Sequence, residues 1–129
     1  MLFPILYLST LILNSADSSQ HPIDKQLYNC LQQSHATMPR ARCYSTTSDL
    51  WEKDIYATQK KLLLKATTAQ KKKLRENQQD WEKERDKEFA EIADRYNFKR
   101  GTGYIPVRIE LRMKVLRKRA LELESALNK

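Results

Sequence analysis

Residues 74–96 read LRENQQDWEKERDKEFAEIADRY, and the pattern of side chains in this stretch decides the fold class. One set of side chains recurs in steps of three and four residues, and it consists of Leu74, Gln78, Trp81, Arg85, Phe89, Ile92 and Tyr96. This spacing places the set on one side of an α-helix, while the residues between them are mostly charged. The stretch therefore predicts a long amphipathic helix with a narrow buried face.

Two other stretches carry the same spacing and complete the predicted fold. The earlier one begins near Tyr44 and places on one face Tyr44, Trp51, Ile55, Thr58 and Leu62. The later one has Pro106 in its first turn and an apolar seam formed by Ile109, Met113, Leu116, Ala120, Leu123 and Leu127. The chain of 129 residues holds only two glycines and four prolines, which suits helices and disfavours strands. We therefore expect one all-α domain over residues 20–129, with three long helices packed up, down and up.

The connections between these helices are also visible in the sequence. Thr67-Thr68-Ala69-Gln70 has the Thr-x-x-Gln form of a capping box, which predicts a new helix start, and one continuous kinked helix is the alternative. Gly101-Thr102-Gly103 holds both glycines and predicts the loop before the last helix. Upstream, residues 24–33 predict a short helix and residues 34–39 a turn, which includes Pro39 because proline disfavours a helical residue before it.

The beginning of the chain differs from everything after it. Residues 2–13 form an almost unbroken apolar run, which is too short to span a bilayer but has the length of a signal-peptide core. Small residues follow at Ser15 and Ala16, so we expect a signal peptide over residues 1–16, extending at most to residue 19. An uncleaved anchor and a buried first helix are the alternatives. Cleavage implies a periplasmic or secreted protein without a stable membrane span.

Cys30 and Cys43 are the only cysteines of the chain. In an exported protein an even number of cysteines predicts a disulfide, which here would tether the short N-terminal helix to the first long one. Two free buried thiols in a cytosolic protein are the alternative. A zinc site is disfavoured, because His35 is the only imidazole nearby and the spacing matches no zinc pattern.

No stretch of the sequence carries the groups that catalysis needs. A nucleophile and its base must lie within hydrogen-bond reach, and neither His21 nor His35 has a partner that the sequence reveals. Gly101 and Gly103 lack the preceding strand and the third glycine of a phosphate-binding loop. We therefore predict no catalytic residue, no metal site and no cofactor, and a protein that is not an enzyme.

Gln78 and Arg85 are unusual because they are polar and yet share a helix face with Trp81. An arginine four residues after a tryptophan can stack on its indole ring. We interpret Gln78, Trp81 and Arg85 as a buried polar network that fixes the register of the helices, with a binding site as the alternative.

The net charge is +8, and two stretches are strongly basic. Residues 60–75 hold seven Lys or Arg and no acid, whereas residues 99–119 hold eight and a single acid, Glu110. A nucleic-acid partner is disfavoured because no aromatic residues are interleaved for stacking. A solvated surface accounts for such charge, and the alternative is a face that binds an anionic envelope polymer or lipid headgroups. The residues that we select for such a face are Arg108, Arg112, Lys118 and Arg119.

Motifs spread over residues 27–127 match those of one known family. They are Cys30, Cys43-Tyr44, Trp51-x-x-x-Ile55, Leu74-x-x-x-Gln78-x-x-Trp81-x-x-x-Arg85-Asp86, Gly101-Thr102 and Arg119-Ala120-Leu121-Glu122-Leu123. This combination resembles the lysozyme inhibitor LprI N-terminal domain family of small bacterial envelope proteins. The resemblance implies an exported helical protein with an intramolecular disulfide, and lysozyme as a candidate partner. The chain departs from the family pattern at Ile55-Tyr56-x-x-Gln59, where Leu-Asn-x-x-Tyr is usual.

A lysozyme partner sets an electrostatic condition. Host-type lysozymes are strongly basic, so a chain with a net charge of +8 needs a local acidic patch to face one. The acids of the central helix that could form this patch are Glu82, Glu84, Asp86, Glu88 and Glu91. We expect a non-enzymatic interaction module of the bacterial envelope, with lysozyme inhibition as its candidate activity. The alternative is a structural protein that binds anionic envelope polymers.

Overall fold

The computed structural model describes residues 20–97 and 101–129, which form four helices and no strand. The helices are α1 (Pro22–Gln32), α2 (Thr37–Lys65), α3 (Thr68–Asn97) and α4 (Tyr104–Leu127). The predicted all-α class, with three long helices and a short one before them, is confirmed. The predicted signal peptide, residues 1–16, lies outside the described residues, as do Lys99 and Arg100 of the second basic stretch.

A disulfide joins α1 to α2. Cys30 near the end of α1 is bonded to Cys43 in the second turn of α2, and their Cα atoms are 5.8 Å apart. The bridge closes a loop with a sequence separation of 13, which in the chain-entropy model stabilises the fold by about 3 kcal/mol. The predicted disulfide is therefore confirmed, and the alternative of two free thiols is excluded.

Helix α2 begins earlier than the sequence pattern predicted. It starts at Thr37 rather than near Tyr44, and Pro39 lies within its first turn. A proline there gives up no helical hydrogen bond, because the first four amides of a helix have no intrahelical acceptor. The interpretation of Pro39 as a residue of the turn was wrong for this reason.

The break between α2 and α3 is the predicted capping box. The Thr67 amide donates to Gln70 Oε1 at 2.9 Å, and the Gln70 amide donates to Thr67 Oγ1 at 3.2 Å. Ala66 has an extended backbone with ψ of 147°, so the chain leaves α2 before it enters α3. Two free amides are satisfied by this exchange, and the alternative of one continuous helix is excluded.

The apolar core lies mainly between α2 and α4. Trp51 and Ile55 of α2 are fully buried, and they form one cluster with Tyr44, Met113, Leu116, Ala120 and Leu123. Helix α3 contributes less, since only Gln78 and Ile92 of its predicted face are buried and the rest are half-buried. In the described ranges, no helix is long and apolar enough to cross a membrane.

Contacts between the long helices give their relative directions. Gln59 of α2 donates to the Leu74 carbonyl of α3, and Tyr56, earlier in α2, contacts Glu82, later in α3. Arg119 of α4 likewise bonds to Gln78, whereas the earlier Arg112 lies over Phe89. Both pairs of helices therefore run antiparallel, which is the order that an up-down-up bundle requires.

Candidate functional site

The most buried charged group of the described chain lies between α3 and α4. Arg119 is 7% exposed, and it packs against Gln78, which is 6% exposed. Gln78 Oε1 accepts from Arg119 Nε at 3.3 Å and from Nη2 at 2.7 Å, and Asn77 Oδ1 accepts from Nη2 at 2.9 Å. Burial lowers the pKa of Arg119, although the Glu122 carboxylate, 3.8 Å from Nη1, acts in the opposite direction. The charge is therefore held mainly by neutral amide oxygens.

Two guanidinium groups lie over the indole of Trp81. The ring centroid is 5.4 Å from the Arg119 guanidinium carbon and 5.2 Å from that of Arg85. Arg85 donates to Asp86 Oδ1 at 3.1 and 3.0 Å and to the Tyr56 hydroxyl at 3.4 Å. Burial acts to lower the pKa of Arg85, but these hydrogen bonds outweigh it and raise the pKa. Stacking of this kind stabilises each pair by about 0.5–2 kcal/mol.

The prediction of a buried network formed by Gln78, Trp81 and Arg85 holds only in part, because Gln78 is buried while Trp81 and Arg85 are half-buried. Gln78, Trp81 and Arg85 come together between the helices, and the structure adds Arg119 to them. Gln78 Nε2 is buried and has no hydrogen-bond partner among the described residues. The position of this group at a helix junction suits a role in fixing register, which stays our interpretation.

The four residues selected for an anion-binding face do not form one surface. Arg112 and Lys118 are exposed, but Arg108 is half-buried. Arg119, in contrast, is buried by its contacts with α3, so it cannot meet a partner as the sequence prediction required. Arg112 lies over the Phe89 ring at 4.5 Å and covers it. These four residues therefore do not form a continuous basic face on α4.

A groove of about 980 Å³ separates α1 from α4. Its apolar lining consists of Leu27, Leu31, Tyr44, Met113 and Leu121. Charged side chains of both signs complete the lining, and they are Asp24, Glu110, Lys114, Arg117, Lys118 and Glu122. This mixture of charges favours no ligand of one sign.

A histidine contact that the sequence did not reveal fixes the start of α1. His21 Nε2 lies 2.9 Å from Glu124 Oε1 of α4, while His21 Nδ1 accepts from the Ile23 amide at 3.1 Å. The imidazole also lies on the ring of Trp51, with centroids 4.5 Å apart. With Nδ1 as the acceptor, Nε2 is the nitrogen that donates to the Glu124 carboxylate.

Asp54 of α2 stands beside this histidine and carries a shifted pKa. Burial is the main cause that raises the pKa of Asp54 to about 6. Glu124 raises it further, both through a hydrogen bond and through repulsion between the two carboxylates. The charges of His21 and Lys61 act in the opposite direction. The sequence offered no signal for this cluster, since His21 and Glu124 are 103 positions apart. Among the described residues, no group of acidic, histidine or cysteine side chains is arranged to hold a metal ion.

The acids predicted to form one patch on α3 divide into two sets. Glu82 accepts from the Tyr56 hydroxyl at 3.3 Å, and Asp86 pairs with Arg85, so both face α2 or their own helix. Glu84, Glu88 and Glu91 are exposed and have no ion-pair partner within the described chain. Their spacing of four and three residues places these three on one side of α3. We call them the acidic stripe.

Comparison with known proteins identifies the relationships of the chain. The model of the family described as "Lysozyme inhibitor LprI" matches residues 29–123, which include both cysteines and most of the three long helices. Neither a curated protein nor a solved structure gives a significant match. The match covers well over half of the chain and agrees with the all-helical fold and its disulfide, and this protein therefore belongs to the lysozyme inhibitor LprI family.

Proposed function

We propose that this chain is an exported, non-enzymatic protein that inhibits a lysozyme by binding to it. Membership of a family of lysozyme inhibitors is the observation that carries the proposal. The disulfide between Cys30 and Cys43 supports export, because such bonds persist in oxidising compartments.

The acidic stripe is the surface that we assign to the lysozyme. A basic enzyme is repelled at long range by a net charge of +8, so its contact must be with local negative charge. Glu84, Glu88 and Glu91 are exposed and unpaired, and they need not give up an internal ion pair on binding. The other acids of the predicted patch, Glu82 and Asp86, are already engaged by Tyr56 and Arg85.

A turbidity assay tests the proposal directly. Lysis of bacterial cell-wall suspensions by a basic lysozyme is followed with increasing amounts of the purified protein. We expect the rate to fall until the two proteins are equimolar and then to level off, as for a stoichiometric complex. A lysis rate that stays unchanged at equimolar and tenfold higher protein would overturn the proposed activity.

Matched variants locate the surface. Glu88→Gln with Glu91→Gln removes two charges of the acidic stripe, and Asp49→Asn with Glu52→Gln removes two exposed acids of α2. Both pairs change the net charge equally. Only the first should weaken inhibition and slow association, most strongly at low salt. Equal effects of both pairs would show that net charge matters and that the stripe is not the contact surface.

A further inference from the structure

The corner between α2 and α3 combines basic charge with an exposed apolar side chain. We define this corner as residues 60–75, which hold seven Lys or Arg and no acid. Leu64 is 78% exposed, more than any other large apolar side chain of the described residues. A single exposed leucine is ordinary, but one surrounded by cations is the pattern of a surface that meets a membrane.

Two lysines of α2 flank Leu64, and two lysines of α3 lie at the same end of the bundle. Lys60 and Lys61 precede Leu64 by four and three residues and are exposed on the same side of α2. The capping box then starts α3, whose first turns bring Lys72 and Lys73 to the same end of the bundle. Lys72 lies 4.0 Å from Glu76, and no other lysine of the corner has an ion-pair partner in the described chain. Apart from Lys72 and Lys61, the second of which faces Asp54, the lysines of the corner are therefore available to a partner.

A groove of about 560 Å³ opens between the corner and the end of α4, and Leu64 lies outside its lining. Its larger apolar side chains are Leu62, Leu74 and Leu127, and its charged side chains are Lys65, Lys73 and Lys129. No carboxylate side chain contributes to this lining, in contrast to the mixed groove beside α1. The region thus offers apolar contact and positive charge together.

We propose that the α2–α3 corner docks on the surface of a bilayer that contains anionic phospholipids. The lysines meet the headgroup phosphates, and Leu64 enters the boundary between headgroups and acyl chains. An anionic polysaccharide would satisfy the charges equally well but offers no apolar phase for Leu64. The side chain of Leu64 therefore favours lipid, and this role goes beyond the inhibition of lysozyme.

Sedimentation with lipid vesicles tests the inference. We expect the protein to bind vesicles that contain phosphatidylglycerol and to remain free with phosphatidylcholine alone. Leu64→Ser should weaken binding about tenfold. Lys65→Gln with Lys73→Gln should weaken it about fivefold for each charge removed. Because these side chains lie at the surface, the helical circular dichroism spectrum should be unchanged in both variants.

Two control variants make the test specific. Val107→Ser changes another exposed apolar residue, and Arg112→Gln with Lys118→Gln removes two exposed charges of α4. Both controls should bind vesicles almost as the natural chain does. Equal effects of the Lys65–Lys73 pair and the Arg112–Lys118 pair on vesicle binding would overturn the inference, and so would normal vesicle binding by Leu64→Ser. Heparin should displace Leu64→Ser from vesicles more easily than the natural chain, and equal displacement of the two would also overturn the inference. Lysozyme inhibition by Leu64→Ser should persist.

Discussion

Two arginines only two positions apart on α4 are held in opposite ways. Arg117 faces α1, where Asp24 accepts from its Nε at 2.9 Å and from its Nη2 at 2.8 Å. Arg119 faces α3, where its acceptors are the amide oxygens of Gln78 and Asn77. Hydrogen bonding to Asp24 raises the pKa of Arg117, whereas burial lowers that of Arg119.

The two arginines lie at different helix junctions, α4 with α1 and α4 with α3, and these junctions also differ in burial. At the α1 junction, Arg117 and Asp24 remain partly exposed, and α1 has no fully buried residue. The disulfide adds to the contacts that Ile23, Leu27 and Leu31 make with the apolar core. At the α3 junction Arg119 and Gln78 are buried, and no disulfide joins the described parts of α3 and α4. The short helix α1 is thus held by a disulfide and an ion pair in addition to its partly buried apolar side chains. The long helix α3 is held at α4 by hydrogen bonds from a buried arginine to amide oxygens.

Loss of the disulfide should have the largest effect on stability. Cys30→Ser with Cys43→Ser should lower the free energy of unfolding by about 3 kcal/mol, because the unfolded chain regains the freedom of the closed loop. Urea titration followed by circular dichroism measures the change. Reductant should reproduce it in the natural chain and leave the double variant unaffected. An unchanged urea midpoint would show that α1 is held by its other contacts alone.

Arg119→Met should have the next largest effect. It leaves Gln78 Oε1 and Asn77 Oδ1 without their donor, and we expect a loss of about 2 kcal/mol in the free energy of unfolding. The double variant Gln78→Leu with Arg119→Met should recover part of this loss, since the amide left unpaired at position 78 is then also removed. Strictly additive losses in the double variant would mean that the two side chains do not act together.

Arg117→Met should cost less, at most about 1 kcal/mol, because its side chain is 41% exposed and that of Asp24 is 20% exposed. The cost should shrink as salt is added, whereas the cost of Arg119→Met should not. Asp24→Asn serves as the matched change on the other partner. If Arg117→Met lowered the free energy of unfolding as much as Arg119→Met does, and salt did not change this loss, the two junctions would not differ in the way described.

Asp54→Asn should have the smallest effect, which depends on pH. The folded pKa of about 6 exceeds the ordinary 3.8, so the folded chain binds more protons between these values. The free energy of unfolding of the natural chain should therefore fall as the pH rises through this window. The groups that face Asp54 are Glu124 of α4, His21 before α1 and Lys61 of α2.

The variant should show a flatter profile, because an amide neither titrates nor repels Glu124. Thermal unfolding measured in buffers that cover the window from 3.8 to about 6, and neutral pH beyond it, gives both curves. Asp49→Asn, an exposed carboxyl on the same helix, should leave the profile unchanged. Parallel profiles for Asp54→Asn and the natural chain would contradict the assignment of the shift to Asp54.

Local patterns predicted much of this fold. Steps of three and four residues located the long helices, and Thr67 with Gln70 marked the break between two of them. Arg119 was assigned to the surface because it is basic. Arg119 follows Leu116 by three residues and precedes Leu123 by four, so it lies beside the apolar seam. This spacing could have predicted that Arg119 is buried.

Contacts between distant parts of the chain could not be predicted in the same way. No periodicity connects His21 to Glu124 or Asp24 to Arg117, since each pair meets only after the helices have packed. The acidic patch of α3 also changed on folding, because Tyr56 and Arg85 took up two of its carboxylates. The sites of this protein depend on tertiary contacts that single-sequence patterns do not contain.

The bond from Cys30 to Cys43 has a consequence for native-state hydrogen exchange. Since α1 lacks a fully buried residue, its amides should lose protection through local opening, well before those of α2 around Trp51. An opened α1 cannot diffuse away while the sulfur bridge persists, so it recloses at a high effective concentration. We therefore expect α1 and the preceding His21, which contacts the Trp51 ring, to open and reclose without global unfolding.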